Sequence, residues 1–363
     1  MKILFILENY YPNIGGVEKL FKELAENLLL NGHDIMIITN RFDSNLLKEE
    51  TVNGVKIRRL NLRNRFAFTF FSIFRILPYV GKFDIIHTTS YNAALPAWLA
   101  AKIYRKPSII TFHEVWGDLW KDLPYINSLQ RVLFSFYEWF ILQLKVDYYI
   151  AISEFTKREL MIHGIPERKI KHIYNGINLK DYQSEIVEKK DKFTFTFYGR
   201  LGISKGLDLL IPAARGFIEK HPESIFKCII PKTPKGLYNK VMTELDKQQF
   251  GNNLIVLHHL SFQELKKEIL SSDCIMIPSY SEGFCFAAVE ATSLGIPIIS
   301  SQKGALKETV SKKHINMTVH DKAGIILALE RAIKNDFDES PEKVFSLEMS
   351  IANYLSFYQN LVR

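Results

Sequence analysis

Four charged side chains in the second half of the sequence have the types and spacing to bind a phosphorylated, polyhydroxyl ligand. Glu282 and Glu290 lie eight positions apart in the otherwise apolar stretch SEGFCFAAVEA. Two carboxylates beside a glycine at a strand exit suit hydroxyl groups, one carboxylate for a sugar and one for a ribose. Arg200 and Lys205, in YGRLGISKGLDLL, can hold a diphosphate and stabilise the negative charge that builds on it as it leaves. A solvated basic loop is the alternative interpretation of these two cations.

Near the N-terminus, Gly15 and Gly16 lie between a short apolar strand and a helix, in YYPNIGGVEKL. A glycine pair lets the backbone approach a ligand closely, and a helix N-terminus favours negative charge. The pair can therefore bind a phosphate or a sugar hydroxyl, although a tight turn explains it equally well.

The elements that must position these residues alternate between strand and helix. Short β-branched or apolar runs, separated by helical patterns, are KILFIL, DIMIIT, FDIIHTT, SIITFH and DYYIAIS in the first half, and KFTFTFYGR, SIFKCII, NLIVL, DCIMIP and PIIS in the second. This alternation is typical of parallel sheets covered by helices. Ser261 and Glu264 predict a capping box ahead of the helical stretch LKKEIL.

A polar, charged stretch from about Lys180 to Lys192 interrupts the alternation and predicts a linker. The chain of 363 residues is also longer than one core usually organises. We therefore predict two doubly wound, Rossmann-like α/β domains over 1–183 and 192–344. Ligands are expected in the cleft between them, at the carboxyl ends of strands.

Composition restricts the compartment. Cys228, Cys274 and Cys285 are an odd number without CxxC spacing, which argues against a disulfide framework or a structural zinc site and favours a reducing cytosol. The apolar run in MKILFIL is too short for a signal peptide, and no run reaches the roughly 18 to 20 residues that span a bilayer. We expect a protein that is soluble or lies on a membrane surface.

The net charge of +8 indicates an anionic partner: nucleic acid, acidic lipid or phosphorylated substrate.

The chain resembles the retaining family 4 glycosyltransferases of the GT-B fold over nearly its whole length. The family's E-x7-E pattern corresponds to Glu282 and Glu290, followed by ATSLGIPIIS. Further similar stretches are YPNIGGVE, TFHE, AISEFTKREL, IYNGINLKDY and GRLGISKGLDLL. The resemblance implies transfer of a sugar from a nucleotide-sugar, with retention of the anomeric configuration and without a metal or another cofactor.

The resemblance also implies a role for each candidate residue. Arg200 and Lys205 would clamp the diphosphate. Glu290 would bind the ribose, and Glu282 would bind the hydroxyls of the donor sugar. His113, at the end of a strand, would contact the sugar near the reacting carbon, so we group it with Arg200, Lys205 and Glu282 as catalytic. The other donor-binding residues implied are Gly15, Gly16, Gly283, Phe284, Cys285 and Phe286.

By the same resemblance, the N-terminal domain would bind the acceptor and the C-terminal domain the nucleotide-sugar. A C-terminal helix over about 345–363 would pack back on the first domain. Three departures from the family pattern are IPKTPKG at Ile230–Gly236, the pair His258 and His259, and Lys303-Gly304 in place of a glycine pair. We expect the donor to be a UDP-sugar. The first two of these positions surround the nucleotide base in the family, so of all that the resemblance implies, the identity of the base is supported least.

A metal site is a competing interpretation, because glycosyltransferases of the other common fold hold manganese with a DxD motif. DFD at Asp336 to Asp338 has that form. It follows a helix instead of a nucleotide-binding strand, which favours a polar loop.

The acceptor side is indicated by a basic and aromatic segment over 58–82. This segment has six basic residues and no acidic one, interleaved with five phenylalanines, and is expected to lie on an anionic membrane. The alternative is a strand and helix whose phenylalanines pack inward. A second aromatic stretch, LFSFYEWFILQL, predicts a core helix. Interleaved aromatics and cations also suit single-stranded nucleic acid, but no nucleic-acid motif accompanies them.

These observations favour a retaining transferase at the cytosolic face of a membrane. Its substrates would be a nucleotide-sugar and a glycan or lipid-linked acceptor of an envelope polysaccharide or glycolipid. The alternative enzyme is a nucleotide-sugar epimerase or hydrolase of the same fold, which would convert the donor without an acceptor. A sugar-binding protein without activity is disfavoured, because Arg200, Lys205, Glu282 and Glu290 are all present.

Overall fold

The computed structural model describes residues 1–13, 15–183 and 191–361 and divides the chain into two compact units. Unit 1 comprises Met1–Trp120, Leu129–Gly176 and the C-terminal segment from Leu347. Unit 2 comprises Lys121–Ser128 and Ile177–Ser346. Each unit is one mostly parallel sheet flanked by helices, so the prediction of two doubly wound α/β domains is confirmed. Residues 184–190 of the predicted linker lie outside the described ranges.

The strands of unit 1 are β1 (Lys2–Leu7), β2 (Asp34–Asn40), β3 (Glu49–Val52), β4 (Val55–Leu60), β5 (Ile85–Thr89), β6 (Ser108–Phe112), β7 (Tyr148–Ala151) and β8 (Ile170–His172). They lie in the order β3-β4-β2-β1-β5-β6-β7-β8, and all pairs are parallel except the β3–β4 hairpin. Strands such as β5 are buried along their whole length, as expected where helices cover both faces of a parallel sheet.

The helices between these strands are α1 (Gly16–Leu30), α2 (Arg65–Phe71), α3 (Ile73–Val80), α4 (Ala94–Tyr104), α5 (Ser128–Leu142) and α6 (Glu154–Ile162). In α1 the apolar residues recur at helical spacing, and those that face the sheet, such as Leu20, Leu24 and Leu28, are fully buried. The chain leaves α1 through Gly32, whose φ of 78° is costly for residues with a side chain.

Unit 2 repeats the plan. Its strands are β9 (Thr194–Tyr198), β10 (Ile225–Ile229), β11 (Leu254–Leu257), β12 (Cys274–Ile277), β13 (Ile298–Ser300), β14 (Lys312–Asn316) and β15 (Asp338–Ser340). Its helices are α7 (Leu207–Lys220), α8 (Lys235–Lys247), α9 (Phe262–Leu270), α10 (Phe286–Ser293), α11 (Leu306–Thr309) and α12 (Lys322–Ile333). The strand order is β11-β10-β9-β12-β13-β14-β15, and only the β14–β15 pair is antiparallel. The Ser261–Glu264 capping box that was predicted for α9 is present.

In each sheet the strand order reverses at one point, between β1 and β5 in unit 1 and between β9 and β12 in unit 2. The connections on either side of such a point leave the sheet in opposite directions. They open a crevice at the carboxyl ends of the two strands, where doubly wound sheets bind ligands. The loops after β9 and β12 carry Arg200, Lys205 and Glu282, and Glu290 lies on α10, which follows β12.

The C-terminal helix α13 (Leu347–Leu361) belongs to unit 1. Its Tyr358 hydroxyl lies 2.6 Å from Nδ1 of the buried His87 in β5, and Nε2 of His87 lies 2.8 Å from the Thr111 hydroxyl in β6. Burial, together with the nearby His113, lowers the pKa of His87 to about 3. A neutral imidazole therefore connects α13 to the sheet.

None of the helices in the described parts of the chain combines the length and apolar character that crossing a membrane requires.

Candidate functional site

The centre of the candidate site in unit 2 is an ion pair between Lys205 and Glu282. Lys205 Nζ lies 2.7 Å from Oε1 and 2.9 Å from Oε2 of Glu282, and the Ser279 hydroxyl donates to Oε1 at 2.6 Å. The Glu282 side chain is 8% exposed and that of Lys205 24%. Burial alone would lower the pKa of Lys205, but the Glu282 carboxylate outweighs it and raises the pKa. Lys205 therefore remains cationic at neutral pH.

The two loops that carry this pair are held together by their backbones. Lys205 lies two residues before α7, and Gly206 is the N-cap residue of that helix, with a φ of 69°. A Cβ on Gly206 would lie 2.0 Å from the carbonyl oxygen of Pro278, so only glycine allows this approach. The amide of Tyr280 donates to the carbonyl of Ser204 at 2.7 Å.

Gly304 supports the Glu282 loop from the other side. Its φ is 63°, and a Cβ there would lie 2.4 Å from the backbone oxygen and 2.8 Å from the backbone nitrogen of Glu282. The amide of Ala305 donates to that same oxygen at 2.7 Å. In the Lys303-Gly304 pair, glycine thus occupies the second position, where the backbone of Glu282 leaves no space for a side chain.

Glu290, on α10, is buried among tyrosines. The Tyr182 hydroxyl donates to Oε1 at 2.8 Å. The Tyr198 hydroxyl lies 2.8 Å from the carbonyl of Ala287 and 3.4 Å from Oε2. These contacts fix the orientation of the carboxylate, which can accept more than two hydrogen bonds at once. Burial first, and then Glu290, raise the pKa of Tyr198, so this tyrosine stays a hydrogen-bond donor.

The backbone from Gly283 to Phe286 connects the two carboxylates. Cys285 is the N-cap residue of α10 and has a left-handed conformation, with φ 72° and ψ 81°. Burial raises the pKa of its thiol, and Glu282 acts in the same direction. The rings of Phe284 and Phe286 lie edge to face with centroids 5.2 Å apart. This turn leads directly from the Glu282 loop into the first residue of α10.

Arg200, directly after β9, is exposed. Its charge acts on Lys205 and lowers the pKa of that residue slightly against the larger effect of Glu282. Both cations lie in the connection between β9 and α7, and their role at a diphosphate stays a prediction.

The candidates of unit 1 lie at the ends of β1 and β6. Gly15 is the N-cap residue of α1 and has extended backbone angles, and Gly16 is the first residue of that helix. His113 follows β6, and its ring centroid lies 6.4 Å from that of Phe21 in α1. The start of α1 and the exit of β6 are thus neighbouring parts of unit 1.

The first two departures from the family pattern meet in unit 2. Nδ1 of His258 lies 2.7 Å from the carbonyl oxygen of Ile230, and its ring centroid lies 5.5 Å from that of Tyr238. His259 has a φ of 53°. The imidazole of His258 therefore connects the exits of β10 and β11.

Comparison with known proteins matches two family models to consecutive parts of this chain. The model for glycosyltransferase family 4 matches residues 14–181, and the model for glycosyl transferases group 1 matches residues 180–344. This chain belongs to the family 4 glycosyltransferases. The assignment agrees with the positions of the E-x7-E carboxylates and of Lys205 at the switch point of unit 2.

Relatives of this family 4 glycosyltransferase include an uncharacterised glycosyltransferase of Methanocaldococcus jannaschii. It is 28% identical over 350 residues, covering 89% of this chain and 86% of the relative. A second relative belongs to the human phosphatidylinositol N-acetylglucosaminyltransferase, as one of its subunits. This human protein is 23% identical over 358 residues, covering 95% of this chain and 72% of the human chain.

Solved structures confirm the GT-B fold. Sucrose-phosphate synthase from Thermosynechococcus elongatus aligns with a TM-score of 0.77 at 17% identity, covering 99% of both chains. Anabaena HepE, solved in complex with UDP and glucose, aligns with a TM-score of 0.73 at 15% identity, covering 99% of this chain and 100% of that chain.

The DFD residues of this glycosyltransferase have a structural explanation. Asp336 accepts a hydrogen bond from Nε of Arg331 at 2.8 Å, and Asp338 pairs with the same guanidinium at 3.1 Å. Asp338 also begins the edge strand β15. Both carboxylates thus bind the guanidinium of Arg331, near the end of α12, and connect that helix to the residues that follow it.

The structure corrects part of the prediction for 58–82. Arg59 is buried and donates to the carbonyls of Tyr11 at 2.8 Å and Leu47 at 3.3 Å, and it pairs with Glu50. Arg59 therefore cannot face lipid, because its buried guanidinium binds the carbonyls of Tyr11 and Leu47 and the carboxylate of Glu50.

Two more of these arginines have acidic partners. Arg58 pairs with Glu49 in the β3–β4 hairpin, and Arg65 lies 3.2 Å from Glu8. Arg63 and Arg75 are exposed, and neither has an ion-pair partner in the described parts of the chain. These two arginines, together with the exposed Lys82, can meet an anionic surface without breaking an ion pair of the described chain.

The phenylalanines of α2 and α3 divide between core and surface. Phe68 is fully buried, whereas Phe66 is 63%, Phe70 56%, Phe71 60% and Phe74 72% exposed. The inward-packing alternative is therefore wrong for all of these rings except Phe68. The prediction of a core helix for LFSFYEWFILQL is correct for one face of α5, where Ile141 and Leu142 lie in the core, and wrong for the other face, which is exposed.

Sequence reasoning missed the residues that orient the two carboxylates. Tyr182 lies in the family-like stretch IYNGINLKDY, yet nothing local indicates that it meets Glu290, 108 positions away. Tyr198 is the last residue of β9, and Ser279 follows β12. Their polar side chains at the ends of buried strands were the available signal for a role in the site.

Proposed function

We propose that this glycosyltransferase moves a sugar from a UDP-sugar to a lipid-linked or glycan acceptor, with retention of configuration and without a metal. The product would be an envelope polysaccharide or glycolipid. The observation that supports this most directly is the Lys205–Glu282 pair at the switch point of unit 2, followed by Glu290 on α10.

In this proposal the fixed cations stabilise the leaving diphosphate. Lys205 gives two of its three N–H groups to Glu282, which leaves one for a phosphate oxygen. Arg200, exposed at the exit of β9, adds a planar donor group suited to phosphate. Charge placed where the diphosphate departs lowers the barrier to transfer and supplies what a divalent cation supplies in other transferases.

The carboxylates then recognise hydroxyl groups on either side of the diphosphate. Glu290, oriented by Tyr182, accepts from the ribose hydroxyls, and Glu282 accepts from the hydroxyls of the transferred sugar. His113 at the exit of β6 contacts the sugar near the reacting carbon, and Gly15 and Gly16 let the backbone of unit 1 approach the ligand. Retention of configuration comes from the resemblance to the retaining members of the family.

The choice of donor and acceptor is supported by the relatives. HepE was solved in complex with UDP and glucose, and this similarity supports a UDP-sugar as the donor. The human relative belongs to a phosphatidylinositol N-acetylglucosaminyltransferase, and the lipid in that name supports a lipid-linked acceptor for this chain. The exposed phenylalanines of α2 and α3, with Arg63 and Arg75, fit an enzyme that works on the cytosolic face of a membrane.

Activity is tested first with the donor. Thermal-shift screening with UDP-, GDP- and ADP-sugars should show stabilisation by one UDP-sugar, because a ligand that binds the folded state raises its stability. Proton NMR of the reaction with lipid extract should show a product with the donor's anomeric configuration, and EDTA should not abolish it. An inverted product or strict dependence on manganese would contradict the proposal. Rapid conversion of the donor alone would instead support an epimerase or hydrolase.

The membrane contact is tested separately. Co-sedimentation with vesicles should increase with the content of anionic lipid and decrease with salt, because exposed charges are screened within about 10 Å at 0.1 M. The double substitution Arg63→Glu with Arg75→Glu should abolish it and leave UDP affinity unchanged. Lys220→Glu, an exposed change in unit 2, is the control. Equal loss in the control would show that net charge alone drives the association.

A further inference from the structure

Helix α5 has an apolar face that nothing in the described chain covers. The exposed residues of this face are Leu129 (67%), Val132 (66%), Leu133 (53%), Phe136 (62%) and Trp139 (55%). Their spacing of three or four positions places them on one side of the helix. A stripe of this kind on a folded protein marks a contact with another apolar phase or partner.

The opposite side of α5 is well packed. Ile141 and Leu142 lie in the core of unit 1, and the Glu138 carboxylate is 3% exposed. Glu138 accepts from the amides of Trp116 at 2.9 Å and Gly117 at 2.7 Å. The helix is thus anchored by one face, and the exposed face is not a frayed or poorly packed element.

Helix α2, in the same unit as α5, also exposes phenylalanines. Burial raises the pKa of Tyr137 in α5. The Thr69 hydroxyl and Arg65, both of α2, lie near its side chain and partly oppose that rise. Thr69 also lies 3.2 Å from the Asn92 side chain behind α2. Tyr137 of α5 therefore lies near Thr69 and Arg65 of α2, and both helices expose apolar residues.

The charges around these helices identify the partner. Over 61–82 and 128–145 the sequence has one carboxylate, Glu138, and this residue is buried. The exposed ionisable side chains of both stretches are cations, among them Arg63, Arg75 and Lys145. Apolar and aromatic side chains bordered by cations, without exposed acids, suit the interface of an anionic bilayer.

We propose that α5 is a membrane-inserting helix, and that its exposed face forms one lipid-contacting surface with α2 and α3. This rests on the proposed function for the location at a membrane, and it extends the contact beyond 58–82. The inner face of α5 holds, through Glu138, the loop that follows His113. Lipid contact and the exit of β6 are therefore connected by the same helix.

The test uses the natural reporter Trp139 in the full-length protein. Vesicles of phosphatidylcholine with phosphatidylglycerol, prepared with and without brominated acyl chains, are added, and tryptophan emission is measured. Insertion of α5 predicts quenching by the brominated chains. Trp139→Phe should remove that quenching while co-sedimentation persists, because an aromatic ring remains at the position. Quenching that persists in Trp139→Phe would place the inserted tryptophan elsewhere and overturn the proposal.

Affinity is tested with Leu133→Ser and Phe136→Ser, and with Leu30→Ser as the matched control. Leu30 is 83% exposed at the end of α1 and also belongs to unit 1. Each α5 substitution should weaken vesicle binding about tenfold or more with an unchanged melting temperature, since the side chains are exposed. Leu30→Ser should change neither. Vesicle affinity that is equal in all three variants would overturn the proposal.

Two further outcomes separate this proposal from others. Light scattering that shows a dimer, dissociated by Phe136→Ser, with no vesicle binding, would mean that a second copy of the chain covers α5. UDP affinity and donor turnover are measured on the same samples. Vesicle insertion without any donor binding would refute the proposed function and leave the membrane helix intact, whereas donor turnover without insertion would do the reverse.

Discussion

Replacing Lys205 with methionine should separate the structural from the chemical role of the central ion pair. Glu282 is 8% exposed, so removal of its cation leaves a nearly buried carboxylate with the Ser279 hydroxyl as a neutral donor. Breaking a buried pair in this way costs about 3–5 kcal/mol of stability. Because Lys205 is 24% exposed and water can partly replace it, we expect the lower end, about 3 kcal/mol.

The double variant Lys205→Met with Glu282→Gln should recover most of that loss. The neutral amide no longer requires a cation, and the pair of similar-sized side chains leaves no buried charge. Replacing a buried ion pair by neutral groups is often without net cost, so the double variant should lie within about 1 kcal/mol of the parent protein. Turnover should stay about 10²-fold or more below the parent, because the charge that stabilises the departing diphosphate is still absent.

Three measurements on the parent protein, Lys205→Met, Glu282→Gln and the double variant decide this. Urea unfolding gives the coupling energy of the pair, calorimetry gives UDP affinity, and turnover of the stabilising UDP-sugar gives the effect on chemistry. Recovery of turnover together with stability in the double variant would refute the role of Lys205 at the diphosphate. An unchanged stability of Lys205→Met alone would show that the pair contributes nothing in solution.

Further predictions concern individual residues. Glu290→Ala should weaken UDP binding by about 1.5–3 kcal/mol in calorimetry, because the ribose hydroxyls lose a charged acceptor. His87, with its pKa lowered to about 3 in the fold, binds its proton more readily in the unfolded chain, so its contribution to stability is lost as pH falls from about 6.5 towards 3. The unfolding free energy of the parent minus that of His87→Gln should therefore fall by about 1.4 kcal/mol per pH unit between pH 6 and 4, and a pH-independent difference would contradict the assignment. Gly304→Ala should lower both the melting temperature and donor affinity, since its Cβ would collide with the backbone of Glu282. Gly251→Ala, also at positive φ but with open space around it, should lower stability only, and equal donor affinity in both variants would argue against a supporting role for Gly304.

The sequence by itself determined the fold class and the unit 2 part of the site. Alternation of apolar runs with helical patterns predicts parallel sheets, and the carboxyl ends of neighbouring parallel strands meet at one edge. Residues that follow different strands, such as Lys205 after β9 and Glu282 after β12, are therefore brought together by topology alone. The Ser261–Glu264 capping box was equally predictable, because it depends on only four successive residues of local backbone.

Only the tertiary structure decided which apolar and charged residues are buried. In α5 the polar residues Arg131, Ser135 and Glu138 recur at helical spacing, which favours exposure of that side. Glu138 is nevertheless buried, whereas Phe136 and Trp139 are exposed, because other segments of unit 1 cover one side of the helix and not the other. Arg59 became an interior residue because distant carbonyls of Tyr11 and Leu47 converge on its guanidinium. Local sequence encodes backbone preference and amphipathic pattern, whereas burial and hydrogen-bond partners arise from segments far apart in the chain, which come together only when the sheet forms.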